Sequence, residues 1–263
     1  MSADLPLDRA RELWTELAAT PVEFRSPEGV SVVVSPDSRL CPPSWAGIVV
    51  LGDAGVITAP NVCVAELMAG AARKLSPGEL VVAGRLMATL PVAEVMGLAF
   101  LSYLDRARFR PASGGAVVEE VPGGGLTVGQ EGGGELTALL AGAGEEDAEE
   151  SALAGITSPA FVVRDGGDVV AAAGYRAWPG SVAHLCVMVA PDFRGRGPAR
   201  VVASAAVGRA LDSGMFPQWR PRPHPSRRVA LALGFEELGA RLSIRLRDNA
   251  TPGARVRECA SGR

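Results

Sequence analysis

The sequence predicts an α/β (α+β) protein in two parts, a smaller N-terminal α/β domain and a larger domain of strands and helices. Three observations carry this expectation. β-Branched runs alternate with helical segments that have recognisable starts; nine glycines fall between Pro111 and Gly134; and beyond them strands recur, one of which runs through a glycine loop into a long helix. The length of 263 residues suits one large domain or two ordinary ones, and 48% hydrophobic with 21% charged residues is ordinary for a folded globular chain. The expected borders are 1–112 for the first domain, 113–250 for the second and 251–263 for a tail.

Taken in order, Arg9 to Ala18 reads as a short helix, and Val30 to Val34 and Gly47 to Leu51 as strands. Asn61 can cap a helix running to about Lys74. Ser76-Pro77-Gly78-Glu79 has the form of another helix start, with proline in the first turn. Pro91 to Leu104 is apolar at nearly every position and is expected to be buried, as helix or strand. Ala116 to Val121 reads as linker or as a first strand. Glu135 to Gly142 and Glu145 to Ala154 are short helices, the second opening with carboxylates that favour the positive helix end. Ala160 to Arg164 and Asp168 to Arg176 flank Asp165-Gly166-Gly167, a hairpin signature. Val182 to Val189 is a strand, followed by a glycine loop and an Ala/Val-rich helix to about Ser213. Gln218 to Arg222 is a short strand, Pro225 to Leu233 a helix, and Phe235 to Leu246 a closing strand or hairpin.

The formal charge of −3 excludes a uniformly basic, histone-like binder. It also conceals an asymmetry. Up to Glu150 there are 10 basic and 21 acidic residues (10 − 21 = −11), and beyond it 16 basic and 8 acidic (16 − 8 = +8). Cys41, Cys63, Cys186 and Cys259 form no C-x-x-C pair, so neither a zinc knuckle nor a disulfide framework is expected, and a cytoplasmic location follows. The N-terminus is charged and nowhere do about 18 apolar residues run together, so neither export nor membrane spanning is expected.

The segment with chemistry is Val189 to Ala199. A strand that ends in a glycine-rich turn feeding a helix aims several backbone N–H groups at one spot, where the helix dipole adds positive potential. Gly195 and Gly197 permit close approach, and Arg194 and Arg196 bring charge for an anionic ligand. Read alone, the segment is also compatible with an arginine-rich surface turn.

Val-Ala-Pro-Asp-Phe-Arg-Gly-Arg-Gly-Pro-Ala (189 to 199) resembles the acyl-CoA-binding signature of the GNAT acetyltransferase superfamily, in which Q/R-x-x-G-x-G/A corresponds here to Arg194, Gly197 and Ala199. Ser226 to Phe235, ending in Leu-Gly-Phe, resembles the superfamily's late helix and the turn after it. The resemblance covers about residues 113 to 248. The first 110 residues match no named module and look like the extension carried by some members.

The resemblance implies a mixed, mostly antiparallel sheet flanked by helices, with a V-shaped split between the strands at 183 to 189 and 218 to 222. It implies acetyl-CoA or another acyl-CoA as co-substrate, held by Val187, Val189, Arg194, Gly195, Arg196, Gly197, Ala199 and Ser226, with no metal. A small-molecule amine is the expected acceptor, in a monomer or homodimer. No DNA or membrane partner is expected. His184, near where a carboxylate base is often found in the superfamily, is the candidate base, or alternatively a histidine satisfied within the sheet. Where many members carry an acid tyrosine this chain has Ala230, leaving Tyr175 as a candidate acid. Pro198 removes one N–H from the phosphate loop. Cys186 shares the strand face of His184 and reads as packing or as a nucleophile; His224 reads as a loop residue. Arg176, Trp178, Trp219, Arg220 and Arg222 read either as a surface for CoA or nucleic acid or as arginines lying over a sheet edge. Two alternatives stay open: an amide-forming transferase with aminoacyl-tRNA as donor, and a non-catalytic acyl-CoA-binding protein.

Overall fold

Contacts divide the chain into one unit of residues 1–99 with 239–263 and another of 100–238; glycine content had placed the border at 112/113. A computed structural model describes residues 5–25, 27–112, 116–122, 133–221 and 224–247.

In the first unit, α1 (Leu5–Leu17) buries Ala10, Leu13, Trp14 and Leu17, the spacing of one helical face. β1 (Val30–Val34) pairs in parallel with β3 (Ala54–Ala59), and β3 pairs antiparallel with β2 (Ala46–Leu51). β3 does not stand out in the sequence because all six of its residues are buried, which removes the alternation that marks a half-exposed strand. β2 also pairs with the second half of β10 (Glu236–Leu246), where a Cβ on Gly239 would lie 1.9 Å from the Val50 carbonyl oxygen. Only glycine fits there.

The Asn61 side chain accepts from Val64 N at 3.0 Å and starts α2 (Val62–Ala72). Ser76 and Glu79 form a capping box, but the backbone turns extended at Val82, giving a 3₁₀ turn (Pro77–Val81) and then α3 (Ala83–Thr89). The apolar run after Pro91 is a strand, β4 (Val92–Tyr103). Its burial is incomplete, correcting the expectation: Met96 is 37% and Leu98 38% exposed. Ile48, Val50, Ile57, Met68, Leu80, Leu86 and Leu242 form the core beneath.

The second unit is mixed α/β with a mostly antiparallel sheet. β5 (Glu119–Val121), β6 (Ala160–Asp165), β7 (Asp168–Trp178) and β8 (Val182–Val189) pair antiparallel in that order. β8 then pairs in parallel with β9 (Phe216–Trp219), and β9 antiparallel with the end of β4. β9 begins two residues earlier than expected: Pro217 sits inside it and accepts from Leu104 N through its carbonyl. Alternation along the strands separates two cores. Ala171, Ala173 and Leu185 pack with α6 (Pro198–Asp212) and α7 (His224–Leu233), while Ala172, Cys186 and Met188 pack with Leu136 and Leu139 of α4 (Gly133–Ala143) and with Leu153, which follows α5 (Glu145–Ser151).

Arg164 on β6 ties three elements together. It donates to Glu119 at 2.9 Å and to both oxygens of Glu135 at 3.0 and 2.7 Å. The Arg164 hydrogen bonds hold the Glu135 carboxyl below its usual 4.5. A carboxyl depressed in the fold contributes stability above its unfolded pKa and loses it as pH falls through the folded value. Melting temperature should therefore drop as pH falls below about 4.5, and by less in Arg164→Gln, as differential scanning fluorimetry between pH 3.5 and 6 will show.

Candidate active site

The site grows from one irregularity in the second unit. The parallel ladder joins Val182 to Phe216, Ala183 to Pro217 and His184 to Gln218, and stops, while β8 continues to Val189. Backbone groups alternate in direction along a strand, and Ala190 N donates to Val170 O on β7. The N–H and C=O groups of Val187 and Val189 therefore point the other way, to an edge that β9 does not cover. Consistent with this, Arg194 Nε donates to Val189 O at 3.4 Å.

At the end of that edge lies the glycine loop. A 3₁₀ turn (Pro191–Phe193) leads to Gly195 at φ +75° and Gly197 at φ +96°, both in the region that disfavours side chains. A Cβ on either glycine would meet nothing within 4 Å, so the space beside both is open. α6 begins at Pro198 with no side chain capping it. Arg200 N turns back to Gly197 O at 3.1 Å. An uncapped helix start with open glycines suits an anion held by backbone N–H groups, less the one that Pro198 lacks.

Val187, Val189, Arg194, Gly195, Arg196, Gly197 and Ala199 thus stand together along one strand edge and its loop. Ser226 is half-buried in the first turn of α7, a helix that packs on α6. The two arginines differ. Arg194 is paired with Asp147 of α5 at 2.6 Å, whereas the Arg196 guanidinium lies 5.2 Å from the Phe193 ring centroid. His224 heads α7, but its side chain, like Arg222, lies outside the described residues.

His184 is 6% exposed and sits at the last rung of the ladder. Its Nδ1 is 2.6 Å from Gln218 Oε1, and Arg220 Nη2 is 3.3 Å from its Nε2. A guanidinium has only donors, so Nε2 is the acceptor and Nδ1 carries the proton that it donates to Gln218. Trp178 stacks on the imidazole with ring centroids 4.4 Å apart, and Arg220 lies 4.9 Å from the Trp178 ring centroid. The lone pair that a base needs is thus held by Arg220.

The structure does not bring Tyr175 to this group. Tyr175 pairs with Leu185 and packs with Ala183, Ala210 and Met215, on the sheet face opposite to His184. Cys186 does share the face of His184, and its thiol donates to His184 O at 3.6 Å. Burial pushes that thiol up to about 12, outweighing the pull of Arg220 and Arg176, so it is no thiolate at neutral pH. Trp219 faces the other way, edge-on to Phe235 at 5.8 Å, which separates it from Trp178. The residue that sequence reasoning missed is Gln218. It is fully buried, and spacing offers a signal: Arg176 and Trp178, and Gln218 and Arg220, are each two apart and share the face of His184. Among the described residues no group of three or more His, Cys, Asp or Glu is placed to hold a metal, and no helix is long and apolar enough to cross a membrane.

Ala230, at the position of the superfamily's tyrosine, is 1% exposed in the α6-side core, and its carbonyl accepts from Phe235 N. A larger side chain has no room. Ala230→Tyr should lower stability by about 1–3 kcal/mol in urea titrations and raise no activity.

The GNAT acetyltransferase family model matches residues 158–240, a span that holds β6 to β9, α6 and α7. No curated protein matches the chain. Among solved structures, a GNAT-family protein from Novosphingobium aromaticivorans is 21% identical with a TM-score of 0.43, over 58% of this chain and 65% of that one. A GCN5-related N-acetyltransferase from Kribbella flavida is 17% identical with a TM-score of 0.47, over 66% and 64%. A tandem GNAT protein from the clavulanic acid biosynthesis pathway is 14% identical with a TM-score of 0.44, over 94% and 97%. The chain spans less than two thirds of the length of the first two. Likeness at this level carries no functional inference.

Proposed function

We propose, from the match of residues 158–240 to the GNAT acetyltransferase family model, that the protein transfers an acyl group, most often acetyl, from acyl-CoA to a primary amine with both substrates bound together. The observation that carries this reading is the early end of the β8–β9 ladder beside an uncapped, glycine-led helix start. An open strand edge accepts a ligand with amide groups at strand spacing, and the helix start accepts its phosphates. Acyl-CoA has both. When bound it supplies a thioester carbonyl, activated toward attack by an amine.

In this reading the backbones of Val187 and Val189 hold the pantetheine arm in line. The N–H groups from Gly195 to Gly197 and of Ala199 hold the phosphates, with Arg196 and Ser226 beside them. Arg194 contributes less than the motif implies, because Asp147 already holds it. Alignment of the two substrates supplies much of the rate, since a held pair reacts as one molecule. Proton removal falls to His184 Nε2, once Arg220 moves off it. Tyr175, on the other sheet face, takes no part.

The cover on Nε2 and the alanine at 230 favour a second reading, a domain that binds acyl-CoA without turning it over. Transfer from aminoacyl-tRNA is the third; binding to tRNA that weakens steeply with salt would mark it.

Acetyl-CoA at a hundredfold excess over its Kd should stabilise the protein by about 2.7 kcal/mol, several degrees in melting temperature. Gly197→Glu should abolish the shift, because it puts a side chain and a negative charge at the helix start. Release of free thiol with an amine panel then separates enzyme from binder. Absence of any shift with acyl-CoAs overturns the reading.

A further inference from the structure

Across three strands of the second unit, Arg176, His184 and Gln218 stand in one row: Arg176 is the β7 partner of His184 and Gln218 its β9 partner. Paired residues share a sheet face, and Trp178 and Arg220, two residues along their strands, share it too. The hydrogen-bonding groups of this patch are unbalanced. His184 Nδ1–H is taken by Gln218 Oε1, and His184 Nε2 by Arg220. One buried donor is left over. Gln218 Nε2, in a residue that is 0% exposed, has no hydrogen-bond partner. Arg176 is exposed and, among the described residues, makes no ion pair; its Nη1 lies 3.7 Å from where a Cβ of Gly155 would stand. The charges of Arg176 and Arg220 both reach Cys186, two residues along β8 from His184.

A buried donor without an acceptor is costly, and two guanidiniums on one sheet face leave an excess of positive charge. Both deficits are relieved by the same kind of group, one with two acceptor atoms and negative charge. A planar carboxylate matches a guanidinium fork. A cationic or purely apolar partner would add to the imbalance.

We propose that the row Arg176–His184–Gln218, with Arg220, binds a carboxylate on the acceptor, so that the acceptor is an amino acid or another amine bearing an acid group. This rests on the acyl-transfer reading above and narrows its substrate class. The carboxylate draws the Arg220 guanidinium from His184 Nε2 and so uncovers the lone pair beside the incoming amine. In the transfer the amine nitrogen gives a proton to Nε2 and forms the C–N bond; the C–S bond breaks, and the electron pair leaves with the CoA thiolate. Amines without the acid group leave Nε2 covered.

The test compares matched acceptors with acetyl-CoA as donor: α- and β-amino acids against the amides and decarboxylated amines that lack the carboxylate. Thiol release measures turnover, and heat shift with and without CoA measures binding where turnover is absent. The acids should be favoured at least tenfold in kcat/KM, or should be the compounds that shift melting where the amines do not. Arg176→Gln and Arg220→Gln should each erase that preference by raising KM for the acid at least tenfold, and Arg220→Gln, which also takes the cover off Nε2, should raise kcat for the plain amines; Arg220→Lys should restore part of the preference. Equal handling of acids and amines, or a preference that survives both Gln variants, overturns the inference. A second donor, succinyl-CoA, separates the two sources of a carboxylate: if the two arginines govern preference for succinyl- over acetyl-CoA instead, the acceptor assignment is wrong. An acetyl-CoA shift without acid preference sinks this inference alone, whereas loss of the acyl-CoA shift sinks the reading beneath it.

Discussion

The parallel ladder between β8 and β9 is three rungs long, and the function proposed for the second unit follows from where it ends. Parallel strands ordinarily continue until both run out of residues. Here β8 outlasts its neighbour, leaving the backbone of Val187 and Val189 facing an uncovered edge. Unmatched backbone groups are costly when buried, so an edge of this kind persists where water or a ligand reaches it. The cores on both faces hold β8 straight past the end of the ladder. Leu185 is anchored toward α6 and Cys186 and Met188 toward α4, so the strand does not collapse onto β9.

The same end point fixes the position of His184. As the last paired residue it is rigid on its β7 side, covered by Trp178, and held at both ring nitrogens. Its orientation comes from Gln218 on β9, from Trp178 on β7 and from Arg220 just past the end of β9. The glycine loop, by contrast, takes its form from left-handed backbone at Gly195 and Gly197 and from the proline that opens α6. One unit thus joins a histidine held within the sheet to a loop whose backbone lies open at two glycines.

Much of this was legible beforehand. Asn61, the Asp165-Gly166-Gly167 hairpin and the span of β8 were read from local chemistry, which a single segment carries within itself. The loop at 194–199 was legible for the same reason. What escaped depended on distant partners. β3 lacks alternation because sheet and helices cover both of its faces, and β9 hides behind Pro217. β4 looked uniformly buried because apolar composition does not reveal which of its faces a neighbour covers. Tyr175 and His184 lie nine positions apart in sequence, and the turn between their strands sets them on opposite faces, which only the pairing of Tyr175 with Leu185 makes plain. Gln218 is polar, short of motif and surrounded by arginines and tryptophans; its part emerges when the row across three strands is assembled.

The pairing of Arg194 with Asp147 gives the loop a further property. A helix start with two nearby arginines is strongly positive, and in the absence of a phosphate it would draw anions from solution. Asp147 acts as a resident counter-ion, tethered on α5 and supplied by the protein itself. A phosphate arriving there exchanges one anion for another and does not neutralise a bare charge. Selectivity at the loop then depends on how much better a phosphate fits than a single carboxylate, and inorganic anions of ordinary strength gain little by entering.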